Sequence, residues 1–131
     1  MKWSSFKYYL PAVFWAMLLF CLSSIPSNSL PSIDIEYFDL FLHFSFYSVF
    51  GYFLGIACVG SGNSLSKKVV TLAMFIGVLY GASDEFHQLF VTGRQAAVSD
   101  FIADSLGVMF GLYIFLKFPR IFKVIDEKVL A

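Results

Sequence analysis

Residues 69–94 read VVTLAMFIGVLYGASDEFHQLFVTGR. From Val69 to Ala82 the stretch carries no charge. Asp84, Glu85, His87, Gln88 and Arg94 then follow in quick succession. The acidic run continues to Asp100 and Asp104, inside the next apolar segment. Charges within a membrane-spanning segment are costly, and a chain that carries them generally uses them. The fold therefore turns on whether the apolar part of this stretch crosses a bilayer.

The rest of the chain says that it does. It has 131 residues, 59% of them hydrophobic and 14% charged, with a mean hydropathy of +0.77. Soluble domains are about 25% charged. Four apolar segments stand out, at about residues 8–25, 40–59, 69–91 and 101–118. Each approaches the roughly 20 residues needed to span a bilayer. The expected fold is all-α, a four-helix transmembrane bundle forming a single domain over residues 1–131. The first segment has the positive start of a signal peptide (Lys2, Lys7), but it is long for one and no small-x-small cleavage site follows. It reads as a retained helix. Phe20 before Cys21 is too large for a lipoprotein cleavage box.

Nine basic and nine acidic residues cancel, which gives no reason to expect a nucleic-acid partner. Their placement is lopsided. Lys2 and Lys7 precede the first segment, Lys67 and Lys68 precede the third, and Lys117, Arg120, Lys123 and Lys128 follow the fourth. The positive-inside rule then puts both termini in the cytoplasm. Asp34, Glu36, Asp39, Asp84, Glu85, Asp100 and Asp104 fall at the outer side, with Arg94 as a lone cation among them. Ser23–Ser32 reads as an outer loop and Gly60–Ser64 as a tight inner one. After Pro119 the spacing of Ile121, Phe122, Val124 and Ile125 suits a short amphipathic helix at the inner surface. Cys21 and Cys58 should lie at opposite depths, too far apart for a bridge.

Three segments carry a Gly-x-x-x-Gly pair: Gly51/Gly55, Gly77/Gly81 and Gly107/Gly111. Small residues one turn apart let helix backbones approach in lipid. Segments two, three and four should therefore pack closely, with the first on the outside.

The polar residues repeat at helical spacing. Asp39, His43 and Tyr47 are i, i+4, i+8 and share a face. A carboxylate one turn above an imidazole can orient it. Glu85 and Gln88 (i, i+3) should point into the bundle, whereas His87 lies off that face. Asp100 can cap a helix N-terminus; Asp104, a turn further in, needs a partner, and Arg94 is the cation available to fold back past Gly93. A salt-bridged plug of Asp84, Glu85, Arg94, Asp100 and Asp104 is one account. The acids outnumber the cation, however, so protons, water, a metal or a cationic ligand must meet the rest. The spacing matches no standard metal site, so neither metal nor cofactor is expected.

Asp39 with His43 and Tyr47, Ser83-Asp84-Glu85-x-x-Gln88, Gly93-Arg94, Asp100 and Gly107-x-x-x-Gly111 together resemble the VanZ-like family of small bacterial membrane proteins, over about residues 39–111. Leu40 stands where that family often has Lys, and Asp104 where Asn is usual, so this site is more acidic than the family pattern. The family takes its name from a member linked to teicoplanin resistance. The resemblance implies a multi-pass protein of the bacterial inner (plasma) membrane and cell envelope, and a link to glycopeptide (antibiotic) resistance; it implies no settled reaction.

Four readings follow. The first is a lipid-embedded protein that binds a lipid-linked or peptidoglycan-related ligand at its outer face, with Arg94 on a phosphate or carboxylate and Glu85, Gln88 and Asp104 on hydroxyl or amine groups. The second is a hydrolase or transferase using Asp84/Glu85 and His43 as acid and base; no Ser nucleophile elbow or His-Glu-x-x-His supports it. The third is a proton-coupled carrier, which with four helices would need a homo-oligomer. The fourth is the structural plug without a ligand.

Overall fold

The computed structural model of the protein describes residues 6–29, 37–60 and 66–118. These form four α-helices: α1 (Leu10–Ser23), α2 (Phe38–Gly60), α3 (Lys67–Gln88) and α4 (Val98–Lys117), with one 3₁₀ turn at Ser27–Ser29 after α1. No strand occurs among the described residues. The amphipathic tail expected at 121–128 and most of the inner loop lie outside the described residues, as do Asp34 and Glu36.

α2, α3 and α4 have 23, 22 and 20 residues and are long and apolar enough to cross a membrane. The first segment differs from expectation. α1 has 14 residues, about 21 Å at about 1.5 Å per residue, short of the roughly 30 Å hydrocarbon core. Pro11 in its first turn fixes where it can begin. At its end the Ser23 and Ser24 hydroxyls fold back onto the Phe20 carbonyl, competing with further helix.

The glycine pairs do what their spacing implies, and most strongly between α2 and α4. A Cβ on Gly51 would collide with the Val108 carbonyl, one on Gly107 with the Phe44 carbonyl, and one on Gly111 with the Ser48 carbonyl. The α2 and α4 backbones are therefore in direct contact. α3 closes on them through Gly77, whose missing Cβ leaves room for the Val108 side chain. Val108 is completely buried at the centre, with Tyr47, Phe50, Leu54, Ala73 and Leu112 around it.

α1 lies outside this trio, as expected. It is held by Trp15, whose indole N–H donates to the Phe46 carbonyl at 2.9 Å, and by Tyr80, whose hydroxyl donates to the Ala16 carbonyl at 2.5 Å. The outward faces are apolar: Phe14 and Met17 on α1, Leu72 and Phe75 on α3, Ile102 and Met109 on α4 are all more than half or about half exposed. Such a belt suits hydrocarbon as its solvent.

The helices alternate in direction. One end of the bundle therefore gathers the C-termini of α1 and α3 and the N-termini of α2 and α4, and this is where the acids are. Lys67, Lys68 and Lys117 belong to the opposite end. Cys21 and Cys58 are not joined by a disulfide.

Candidate functional site

At the acidic end a cavity of about 370 Å³ opens between α1, α2 and α3. Its apolar walls are Leu19, Leu22 and Ile25 from α1 and the turn beyond it, and Leu42 and Phe46 from α2. Its polar groups are Asp39, His43 and Tyr47 along one face of α2, Asp84 and Gln88 near the end of α3, and Arg94 from the following loop. The i, i+4, i+8 face of α2 is thus the polar wall that its spacing implies. Tyr47, Asp84 and Gln88 are buried. Neither the Tyr47 hydroxyl nor Asp84 Oδ1 makes a well-formed hydrogen bond, although the two side chains lie close to one another.

Glu85 parts company with Gln88, although the two were expected to face the same way. Glu85 does not line the cavity. It reaches α4, where its Oε2 accepts from the Ala97 N–H at 2.9 Å. Ala97 is the N-cap residue of α4 and has no side-chain cap of its own. Glu85 performs from a neighbouring helix what a capping-box glutamate does within one. Asp100 is accordingly not the N-cap: it sits in the first turn of α4, where a carboxylate complements the positive end of the helix dipole.

Asp104 is paired, but not with Arg94. His43 Nδ1 lies 2.9 Å from Asp104 Oδ1, and His43 Nε2 lies 4.0 Å from Asp100 Oδ2. With the carboxylate ionised, the ring N–H donates to it. His43 therefore joins two groups. The cavity set is Asp39, His43, Tyr47, Asp84, Gln88 and Arg94; the inner set is His43, Glu85, Asp100 and Asp104.

Arg94 does not fold back onto the acids. Its Nε donates to the Ile25 carbonyl at 3.1 Å and one terminal nitrogen donates to the Leu22 carbonyl at 3.4 Å. It makes no ion pair with Asp84, Glu85, Asp100 or Asp104. The preceding Gly93 has φ +76°, a conformation that favours glycine, and a Cβ there would strike the Ser27 hydroxyl. The loop is thereby pressed against the turn that follows α1. His87, expected at the interface and off the inner face, bonds the Ser24 hydroxyl through Nε2 at 2.9 Å and stacks on Phe20.

The apolar walls carry no chemistry-bearing residue types. A signal was present: Leu19, Leu22 and Ser23 recur at i, i+3, i+4 on one face of the first segment, and Leu42 and Phe46 flank His43 and Tyr47. The meeting of Glu85 with Ala97 leaves no such trace, because a backbone N–H has no residue type.

No curated protein and no solved structure matches the chain. A family model described as VanZ/LLP1 does, over residues 8–123. That match takes in all four helices and every residue of the polar cluster. Together with three helices able to cross a bilayer, it makes this a membrane protein that belongs to the VanZ/LLP1 family.

Proposed function

We propose that the protein is a membrane-embedded binding protein whose acidic end takes an amphiphilic, lipid-linked or cell-wall-related ligand from the outer face of the bacterial inner membrane. The cavity carries this reading. Its volume is in the range of small-molecule sites, which combine apolar walls with a few placed polar groups. Leu19, Leu22, Leu42 and Phe46 suit a hydrocarbon portion. The buried Tyr47 hydroxyl and Asp84 Oδ1, close to one another but without a well-formed hydrogen bond, suit a head group bearing hydroxyl or amine donors, since a buried polar atom left poorly bonded is costly.

Arg94 enters differently from the anion clamp that the sequence suggested. With two of its N–H groups on the Leu22 and Ile25 carbonyls at the end of α1 and just beyond it, it shapes the cavity rim. The same geometry counts against a plug, which needs Arg94 among the carboxylates. The lysines at the opposite end support an outward-facing cavity by the positive-inside rule.

The test is native mass spectrometry of gently purified protein, comparing wild type with Asp84→Asn and with the cavity-filling Leu42→Trp. Wild type should carry one defined amphiphile that both variants lose. The same bulk phospholipids on all three proteins would refute the reading. If the ligand is a cell-wall precursor, expression should lower teicoplanin susceptibility, and Leu42→Trp should abolish that effect.

A further inference from the structure

Behind the cavity, His43, Glu85 and Asp104 each bring one ligand atom to within 4.8 Å of the others. They come from α2, α3 and α4, so the fold makes this cluster and no local spacing encodes it. Asp104 is 1% exposed and Glu85 7%. Each carboxylate has one oxygen held by the protein: Asp104 Oδ1 by His43, and Glu85 Oε2 by the Ala97 N–H. The other oxygen of each, Asp104 Oδ2 and Glu85 Oε1, is buried with no partner. Asp100 stands beside the His43 ring.

We propose that His43, Glu85 and Asp104 bind a divalent first-row cation, Zn²⁺ or Mn²⁺, inside the bundle. A buried oxygen without a partner loses its hydration uncompensated, and here two such oxygens belong to carboxylates gathered around one imidazole. A divalent ion supplies both with a partner. It also offsets the charges of Glu85 and Asp104 in a setting where net charge is expensive. One imidazole with carboxylates and no thiolate suits Zn²⁺ or Mn²⁺ and disfavours soft metals. The Ala97 N–H on Glu85 is the kind of outer contact that orients a metal-binding carboxylate. Three protein ligands leave room for water or for Asp100. The proposal is independent of what occupies the cavity.

The test uses the full chain in detergent, stripped with EDTA and dialysed against Zn²⁺ or Mn²⁺, with metal counted by inductively coupled plasma mass spectrometry. Wild type should retain a single ion per chain. Glu85→Gln and Asp104→Asn should lose it, and His87→Gln, which changes the chain's other histidine, should keep it. Wild type that stays free of both metals would overturn the proposal, as would Glu85→Gln and Asp104→Asn proteins that retain the ion. Should those variants fail to fold, X-ray absorption on Co²⁺-loaded wild type decides. Imidazole scattering supports the site, and an oxygen-only shell, or no Co²⁺ uptake at all, overturns it.

Discussion

A guanidinium beside Asp84, Glu85, Asp100 and Asp104 would be expected to pair with one of them, yet Arg94 donates to the Leu22 and Ile25 carbonyls. The reason lies in the helix ends. α1 finishes here with carbonyls that no further turn can satisfy, and such an end carries partial negative charge. α2 and α4 begin here, and their positive ends favour Asp39 and Asp100 in their first turns. Arg94→Ala should therefore loosen the end of α1 at a cost of about 2 kcal/mol, seen in thermal unfolding and as faster proteolysis around Ser24–Ser29. Arg94→Lys should fall between, because an ammonium lacks the planar fork that serves two carbonyls. Glu85 makes a similar prediction. Glu85→Ala strips the Ala97 N–H of its acceptor and should cost about 1 kcal/mol. In EDTA-stripped protein, Glu85→Gln keeps an acceptor oxygen and should unfold close to wild type. Asp84, whose Oδ1 makes no well-formed hydrogen bond, should behave oppositely to a structural acid: Asp84→Asn is expected to keep or raise the melting temperature while losing ligand.

Helix contacts were the most legible part of the sequence. Gly51, Gly107 and Gly111 announced close approach by spacing alone, and in the fold each faces a backbone carbonyl of the partner helix. The pattern did not grade them, since the same spacing in α3 places Gly81 against the more yielding Asp104 side chain, 3.2 Å from where a Cβ would lie. Gly111→Ala should thus destabilise by about 1–3 kcal/mol, as overpacking does, and Gly81→Ala by clearly less; chemical denaturation in mixed micelles compares them. The faces of α2 were also readable, because Asp39, His43 and Tyr47 share one by periodicity. Pairings across helices were not. Glu85 with Ala97, His43 with Asp104 and His87 with Ser24 depend on how elements that are distant in sequence rotate against one another, which local spacing does not encode. The length of α1 was overread for a related reason. Hydropathy sees apolar residues on both sides of Pro11, whereas the helix must start near that proline and stop at the back-bonding Ser23 and Ser24.

For the molecule as a whole, the apolar belt, the gathered acids and the cavity share one arrangement. Packing α2 and α4 backbone to backbone uses up the glycine faces and leaves the short α1 to roof a chamber against α2 and α3. Cysteine labelling checks the orientation in a background without Cys21 and Cys58. Asn28→Cys should react with an impermeant maleimide from outside the cell, and Ser66→Cys only after permeabilisation. The chamber is then a binding site and not an accident of packing. Thermal unfolding of delipidated protein with and without an envelope lipid extract, for wild type and for Leu42→Trp, distinguishes the two. A ligand that binds the folded state alone raises its stability by mass action. The extract should raise the melting temperature of wild type and leave that of Leu42→Trp unchanged. An equal shift in both proteins, or a shift in neither, would contradict a binding site.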